Sequence, residues 1–228
     1  LFGGGTEAVR VENPISSEMT HLRPDLLPGL LTAAARNQAR GFMDLSLFEI
    51  GPAFQGGEPG DQHLQAAGLL VGAAAQRDPH GSRRMVDVFD AKADAEAVLS
   101  ALGAPARVQI TRKVADWWHP GRSGVIGLGP NTMATFGEVH PRVLQAMDVK
   151  GPAVAFTILI ANVPAPKVKT PTRPALAISD LQAVDRDVAF VVDAKVEALT
   201  AVNAAQGADK ALIESVRVFD QFTGDKAE

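Results

Sequence analysis

The sequence predicts an α+β domain followed by part of a second one. Three observations carry this. Two short apolar runs, Gly124–Leu128 and Met133–Val139, flank Gly129-Pro130-Asn131, a strong turn signal, and so form a buried antiparallel hairpin. Pro141 then opens a short helix with Val143, Leu144 and Met147 on one side, which makes hairpin and helix the core unit of a mixed sheet. Two further runs, Leu64–Ala74 and Ala153–Ala161, are apolar almost throughout, as strands buried on both faces are.

The chain has 228 residues, 46% hydrophobic and 21% charged, which is a globular composition with room for more than one domain. No apolar run approaches the ~18 residues of a membrane-spanning helix. The start, Leu1–Gly5, is not a signal peptide, and without an initiator methionine the chain is expected to be a piece of something longer. With no cysteine, disulfides and thiolate chemistry are excluded, and a cytoplasmic setting is expected. A net charge of −4 argues against a broad nucleic-acid-binding face.

Taken in order, Leu1–Asn13 holds a glycine run without a P-loop lysine and a short strand at Val9–Val11. Leu27, Leu30, Leu31 and Ala34 then recur at helical spacing, with Pro28 in the first turn and Gly41 as the stop. Arg36 and Arg40 lie four apart on one face of this helix, facing solvent or a partner. Leu45–Ile50 is a strand expected to stop at Gly51-Pro52, and the glycine-rich loop Gln55–Asp61 joins it to Leu64–Ala74 as a second hairpin. Gln76–Arg84 is polar and expected to be mobile. Asp87–Leu102 is a helix with the stripe Val88, Ala91, Ala95, Val98 and Leu102, closed by Gly103. Arg107–Arg112 is a strand with one wet face, and Trp117-Trp118 is core and rim packing rather than a platform for a base.

Val163–Pro174 carries four prolines interleaved with Lys167, Lys169 and Arg173, an extended linker whose charge serves solvation or a phosphate backbone. Beyond it, strand Asp187–Val192, helix Val196–Gln206 and strand Glu214–Phe219 are too thin a core for an independent domain, so more chain is expected after Glu228.

The motifs for chemistry are mostly negative. None of the five histidines sits in an HExxH pattern, and no two share a helix turn. Gly121-Arg122-Ser123-Gly124 is not a nucleophile elbow, and Gly127-x-Gly129 lies in a hairpin turn, not between strand and helix. Glu49 and Glu138 lie on expected core strands, and the sequence does not show whether they meet.

Several phrases nevertheless form an ordered set: NPISSEMTHLRPDLLPGLLTAAARNQARG (13–41), LFEIGPAF (47–54), DVFDAKADAEAVLSALG (87–103), HPGRSGVIGLG (119–129) and FGEVHPRVLQAMDV (136–149). DRDVAFVVD (185–193) and SVRVFDQF (215–222) follow. Together they resemble the C-terminal part of the β subunit of bacterial phenylalanyl-tRNA synthetases. The resemblance implies a class II synthetase-like antiparallel sheet flanked by helices over residues 1–163, a proline-rich linker at 164–174, and the start of a ferredoxin-like anticodon-binding domain at 175–228.

It also implies a module that has lost the reaction of its catalytic relatives. The motif 2 arginine that holds the α-phosphate of ATP is replaced by Gln55, the acidic residue before the glycine of the return strand by Ala67, and the motif 3 segment Gly151–Ile160 contains no arginine. Charge developing on a phosphoryl group needs fixed cations, which these residues do not supply. No catalytic, cofactor-binding or metal residue is therefore expected here, and ATP and Mg belong to the holoenzyme. The implied partners are the catalytic α subunit, in a heterotetramer, and the phenylalanine tRNA. Leu30, Leu31, Arg36 and Arg40 are the candidate subunit interface, and Lys167, Lys169 and Arg173 the candidate tRNA contacts. Two other functions compete: a divergent adenylate-forming enzyme, against which the missing arginines speak, and a free-standing RNA-binding module. Against the latter, Pro164–Glu228 carries eight Lys and Arg but ten Asp and Glu.

Overall fold

A computed structural model describes residues 1–17, 19–75, 79, 81–165, 172, 175–176 and 178–222. Internal contacts divide the chain into two units, Leu1–Pro171 and Thr172–Glu228.

The first unit begins with a 3-10 turn, Glu7–Val9, and a bridge from Arg10 to His21 in place of the short strand expected at Val9–Val11. Helix α1, Leu27–Gln38, follows. Pro28 sits in its first turn, where the missing N–H breaks no intrahelical bond. Gly41 turns the chain away at φ 94°, a conformation open to glycine. The apolar stripe Leu27, Leu30, Leu31 and Ala34 is buried as its spacing requires. This corrects the assignment of Leu30 and Leu31 to a subunit interface. Both side chains belong to the chain's own core, in a cluster with Leu69, Val71, Val139 and Ala155. Arg36 and Arg40 are exposed.

Strands β1, Leu45–Phe54, and β2, Gln62–Val71, form a hairpin in register from Leu45 opposite Val71 to Phe54 opposite Gln62. β1 thus runs through Gly51-Pro52, where the sequence suggests a stop. The reason is its position at the sheet edge. Arg23 Nε donates to the Pro52 carbonyl at 2.9 Å, so the outer side of Pro52 faces away from β2 and its missing N–H takes nothing from the ladder. Strands β3, Ala73–Ala75, and β4, Arg84–Met85, make a small separate ribbon. Of the expected loop Gln76–Arg84, residues 76–78 and 80 lie outside the described residues.

Helix α2, Val88–Ala101, starts at a reciprocal cap: Asp87 Oδ1 accepts from the N–H of Phe89 at 2.8 Å, and Asp90 Oδ2 accepts from the N–H of Asp87 at 2.8 Å. Ala91, Ala95 and Leu99 are its buried residues, so the packed face includes Leu99 and leaves Leu102 at the partly exposed end. Strand β5, Gln109–Thr111, is short and exposed. Strands β6, Trp118–Leu128, and β7, Asn131–Val139, form the central hairpin across Gly129-Pro130. β6 begins earlier than its apolar run suggests. His119-Pro120 lies within it, where the pairing register shifts between Trp118 and Ser123. Helix α3, Pro141–Ala146, and strand β8, Ala153–Leu159, complete the unit.

The six main strands form one antiparallel sheet in the order β1-β2-β8-β7-β6-β5. Its strands alternate between two apolar layers. Leu69, Val71, Val139 and Ala155 face one cluster with α1 and Val143 of α3. Ile126, Phe136, Val154, Phe156 and Ile158 face the other with Ala91, Ala95 and Leu99 of α2. β8, central and buried along nearly its whole length, serves both layers, which explains its unbroken apolar sequence.

In the second unit the expected helix forms as α4, Ala198–Ala208, but the strands expected at 187–192 and 214–219 do not. Val188, Phe190, Val191, Val218 and Phe219 are exposed. A strand needs a neighbour for its N–H and C=O groups, and among the described residues these segments have none. No helix among the described residues is long and apolar enough to cross a membrane.

Candidate functional site: a cavity on one face of the sheet

A concavity of the first unit lies over the α1 side of the sheet. Its volume is about 290 Å³. The floor crosses four strands: His63 and Gln65 of β2, Thr157 and Leu159 of β8, Thr132 and Thr135 of β7, and Val125 of β6. Register explains the grouping. Thr157 pairs with both Ala67 and Thr135, and Thr135 pairs with Val125, so side chains from this row emerge on one face. Pro24, Asp25, Gln55, Lys113 to Ala115, Trp117 and Trp118 complete the lining.

A hydrogen-bonded group holds Asp25. Asp25 Oδ1 accepts from the Leu27 N–H at 2.8 Å, and Oδ2 accepts from Gln65 Nε2 at 3.0 Å. Gln65 Oε1 in turn accepts from the Leu26 N–H at 2.9 Å. Two of the donors that open α1 are thereby satisfied by side chains from the loop and from β2, fixing the helix start to the sheet. Both Asp25 and Gln65 are buried. Burial pushes the Asp25 carboxyl up from its usual value of 3.8, while these hydrogen bonds and the nearby His63 pull it back.

The raised value has a stability consequence with a definite sign. Between 3.8 and the folded-state value, the folded chain keeps a proton that the unfolded chain has lost. Stability contributed by Asp25 is therefore complete below 3.8 and declines as pH rises through that window. Asp25→Ala, which strands the Leu27 N–H and the Gln65 amide, is expected to cost about 2–3 kcal/mol. Urea titrations of both proteins across acidic pH should show the largest difference at the acid end.

Arg23 sits just before this group but is held elsewhere: Nη1 donates to Glu49 at 2.6 Å, and Nε to the Pro52 carbonyl. Glu138 on β7 pairs with Arg122 at 2.6 Å. Glu49 and Glu138 thus each have their own arginine. Two strands lie between β1 and β7, which puts them about 14 Å apart, three strand spacings, too far to share a proton. Among the described residues no group of three histidine, aspartate or glutamate side chains is placed to hold a metal ion. His80 lies outside the described residues, as do Lys167, Lys169 and Arg173.

The three substituted positions behave as their side chains dictate. Gln55 is exposed and neutral in the cavity wall. Ala67 is buried beneath the floor row. β8 presents only Thr157 as a polar side chain. Lys113 is the one lysine or arginine lining the cavity among the described residues.

Residues 3–160 match the family model described as the phenylalanyl tRNA synthetase beta chain CLM domain. The chain belongs to this family. Residues 179–228, beyond the CLM domain, match the ferredoxin-fold anticodon binding domain. The phenylalanine–tRNA ligase β subunit of Cereibacter sphaeroides is 82% identical over the whole chain, that of Ruegeria pomeroyi 70% over 98% of it, and that of Rhodospirillum rubrum 50% over all of it. The chain spans 28–29% of the length of these relatives. Among solved structures, Desulfitobacterium hafniense pyrrolysyl-tRNA synthetase is similar at 16% identity, with a TM-score of 0.49 over 67% of this chain and 50% of that one.

Gln55 lies on the wall of this cavity. Sequence reasoning missed Asp25, Gln65, Thr135 and Thr157. Two signals were available: an aspartate two residues before a helix, and a glutamine inside an otherwise apolar strand.

Proposed function

We propose that this chain is a non-catalytic scaffold and tRNA-contacting part of phenylalanine–tRNA ligase, which attaches phenylalanine to its tRNA using ATP. The CLM domain supports assembly with the catalytic α subunit, in the cytoplasm. Phenylalanine, ATP and magnesium bind to that subunit. The tRNA meets the ferredoxin-fold unit and the basic residues Lys167, Lys169 and Arg173 before it. Exposed Arg36 and Arg40 on α1 are the remaining candidates for the subunit contact.

One observation carries the non-catalytic part of this reading: the cavity wall holds a neutral Gln55 and a buried carboxylate at Asp25, where adenylate formation needs guanidinium groups. A triphosphate brings several negative charges, and a single lysine in a half-open cavity does not offset their desolvation. The test is phenylalanine-dependent ATP–pyrophosphate exchange by the purified chain. No exchange is expected, either from the natural sequence or from Gln55→Arg, because one restored cation does not rebuild a site lacking its acidic residue and its second arginine. Exchange above background by the natural chain would overturn the reading. Co-elution with the α subunit tests the scaffold role separately.

A further inference from the structure

We propose that the free edge of β1 pairs with the same edge of a second copy of this chain, joining two six-stranded sheets into one. This rests on neither the scaffold role nor the tRNA contact.

The phase of the strand shows which groups are free. The Pro52 carbonyl accepts from Arg23 Nε at 2.9 Å, and the Phe54 N–H donates to the Arg23 carbonyl at 2.9 Å. The main-chain groups of Pro52 and Phe54 therefore point away from β2. Direction alternates residue by residue in an antiparallel pair, so those of Ser46, Phe48 and Ile50 point the same way. β1 is the outermost strand, and among the described residues nothing bonds to these three on that side. Their side chains are exposed as well, Phe48 by 79% and Ile50 by 62%.

Sheet edges are ordinarily guarded by a lysine, a proline or a bulge. From Leu45 to Gly51, β1 has no lysine and no proline, and its register with β2 is unbroken. Its one charge there, Glu49, projects on the other face and is held by Arg23 at 2.6 Å.

This edge is complementary to itself. Two β1 strands related by a two-fold axis at Phe48 put Phe48 opposite Phe48 and Ser46 opposite Ile50. Each facing pair exchanges two main-chain bonds, about six in all, and every free residue is used. The charges agree with this register. Glu49 falls opposite Leu47, whereas an axis at Glu49 would set two carboxylates face to face. At each end Pro52, with Arg23 on its carbonyl, falls opposite Asp44 of the second copy, a cation beside a carboxylate. Phe48 and Ile50 of both copies then make one apolar row on the α2 side, where Phe48 already borders Val98. Three residues per copy bury less than the ~800 Å² per partner of a standard interface, so the pairing is weak, with a Kd of about 100 µM.

Sedimentation velocity of the 228-residue chain from about 5 to about 500 µM tests this. The sedimentation coefficient should rise from the monomer toward the dimer value. Ser46→Pro removes an N–H that β2 does not use, as at Pro52, so the hairpin stays while dimerisation weakens about tenfold or more. Phe48→Thr should weaken it similarly. The chain has no cysteine, so introduced ones report the register. Under copper-catalysed air oxidation, the double variant Ser46→Cys with Ile50→Cys should give a covalent dimer, because facing Cα atoms lie about 5.5 Å apart. Either single variant should not, its own copies lying about 13 Å apart. This readout keeps Phe48 and does not depend on the proline variant folding. Three results would overturn the proposal: no rise in sedimentation by about 500 µM, which would leave the edge to a strand of another chain; undiminished dimerisation in folded Ser46→Pro; or single variants cross-linking as fast as the double one.

Discussion

Leu31→Asp abolishes the cooperative unfolding transition of the CLM domain, and Leu31→Ala lowers its unfolding free energy by about 3 kcal/mol. Leu31 is fully buried in the layer between α1 and the sheet. Truncation leaves a cavity that the close-packed strands fill only in part. A carboxylate at that position is worse. Left charged, it loses its water without gaining a partner, at a cost comparable with the 5–15 kcal/mol that holds a typical domain together. Thermal and urea unfolding followed by circular dichroism measure both variants. A well-folded Leu31→Asp protein that had lost only its α subunit would restore this residue to the subunit interface. The surface changes Arg36→Glu and Arg40→Glu should alter stability by no more than about 0.5 kcal/mol, so a loss of α-subunit binding there would report the contact itself.

The second large effect is at Gly137. It lies on β7 opposite Ser123 and Ala155, next to the register shift in β6. A Cβ built there overlaps the Ser123 Cβ, falls 2.6 Å from the Ser123 Cα, and lies 2.8 Å from the Arg122 carbonyl oxygen. Two of these obstacles are main chain, so no rotamer change relieves them. Gly137→Ala should cost about 3 kcal/mol, at the upper end for overpacking by one methyl group. Gly29→Ala is the control. In α1 the nearest atom to its added Cβ is a Glu49 carboxylate oxygen at 3.7 Å, an ordinary contact. Alanine there should raise stability by about 0.5–1 kcal/mol, because the unfolded chain loses freedom. If both variants shift the urea midpoint in the same direction, the close approach at Gly137 is not what requires glycine.

The elements legible in the sequence were those with one strong period. The stripes of α1 and α2 identify themselves because a single face of each meets the sheet. The apolar run of β8 does so because both its faces are covered. Harder to read were features set by position within the sheet. Pro52 looks like a stop until β1 is known to be an edge strand, and His119-Pro120 looks like a boundary until the irregular pairing of β6 accommodates it. Val188 and Val218 carry strand-like patterns, yet a pattern alone provides no neighbour. The cavity was hidden for a similar reason. Asp25, Gln65, Thr135 and Thr157 come from three strands and a loop, and only the register brings them together.

The position of β8 also dictates an order of events during synthesis. The β1–β2 and β6–β7 hairpins are each local in sequence and can pair as soon as they leave the ribosome. They do not pair with each other. The strand that joins them is the last of the six to be made, and it inserts between β2 and β7. Until Ala153–Leu159 emerges, each hairpin has an unsatisfied inner edge and an uncovered apolar face. A nascent chain arrested before Ala153 is therefore an aggregation-prone pair of hairpins, while one extended past Leu159 can zip the sheet closed from its centre.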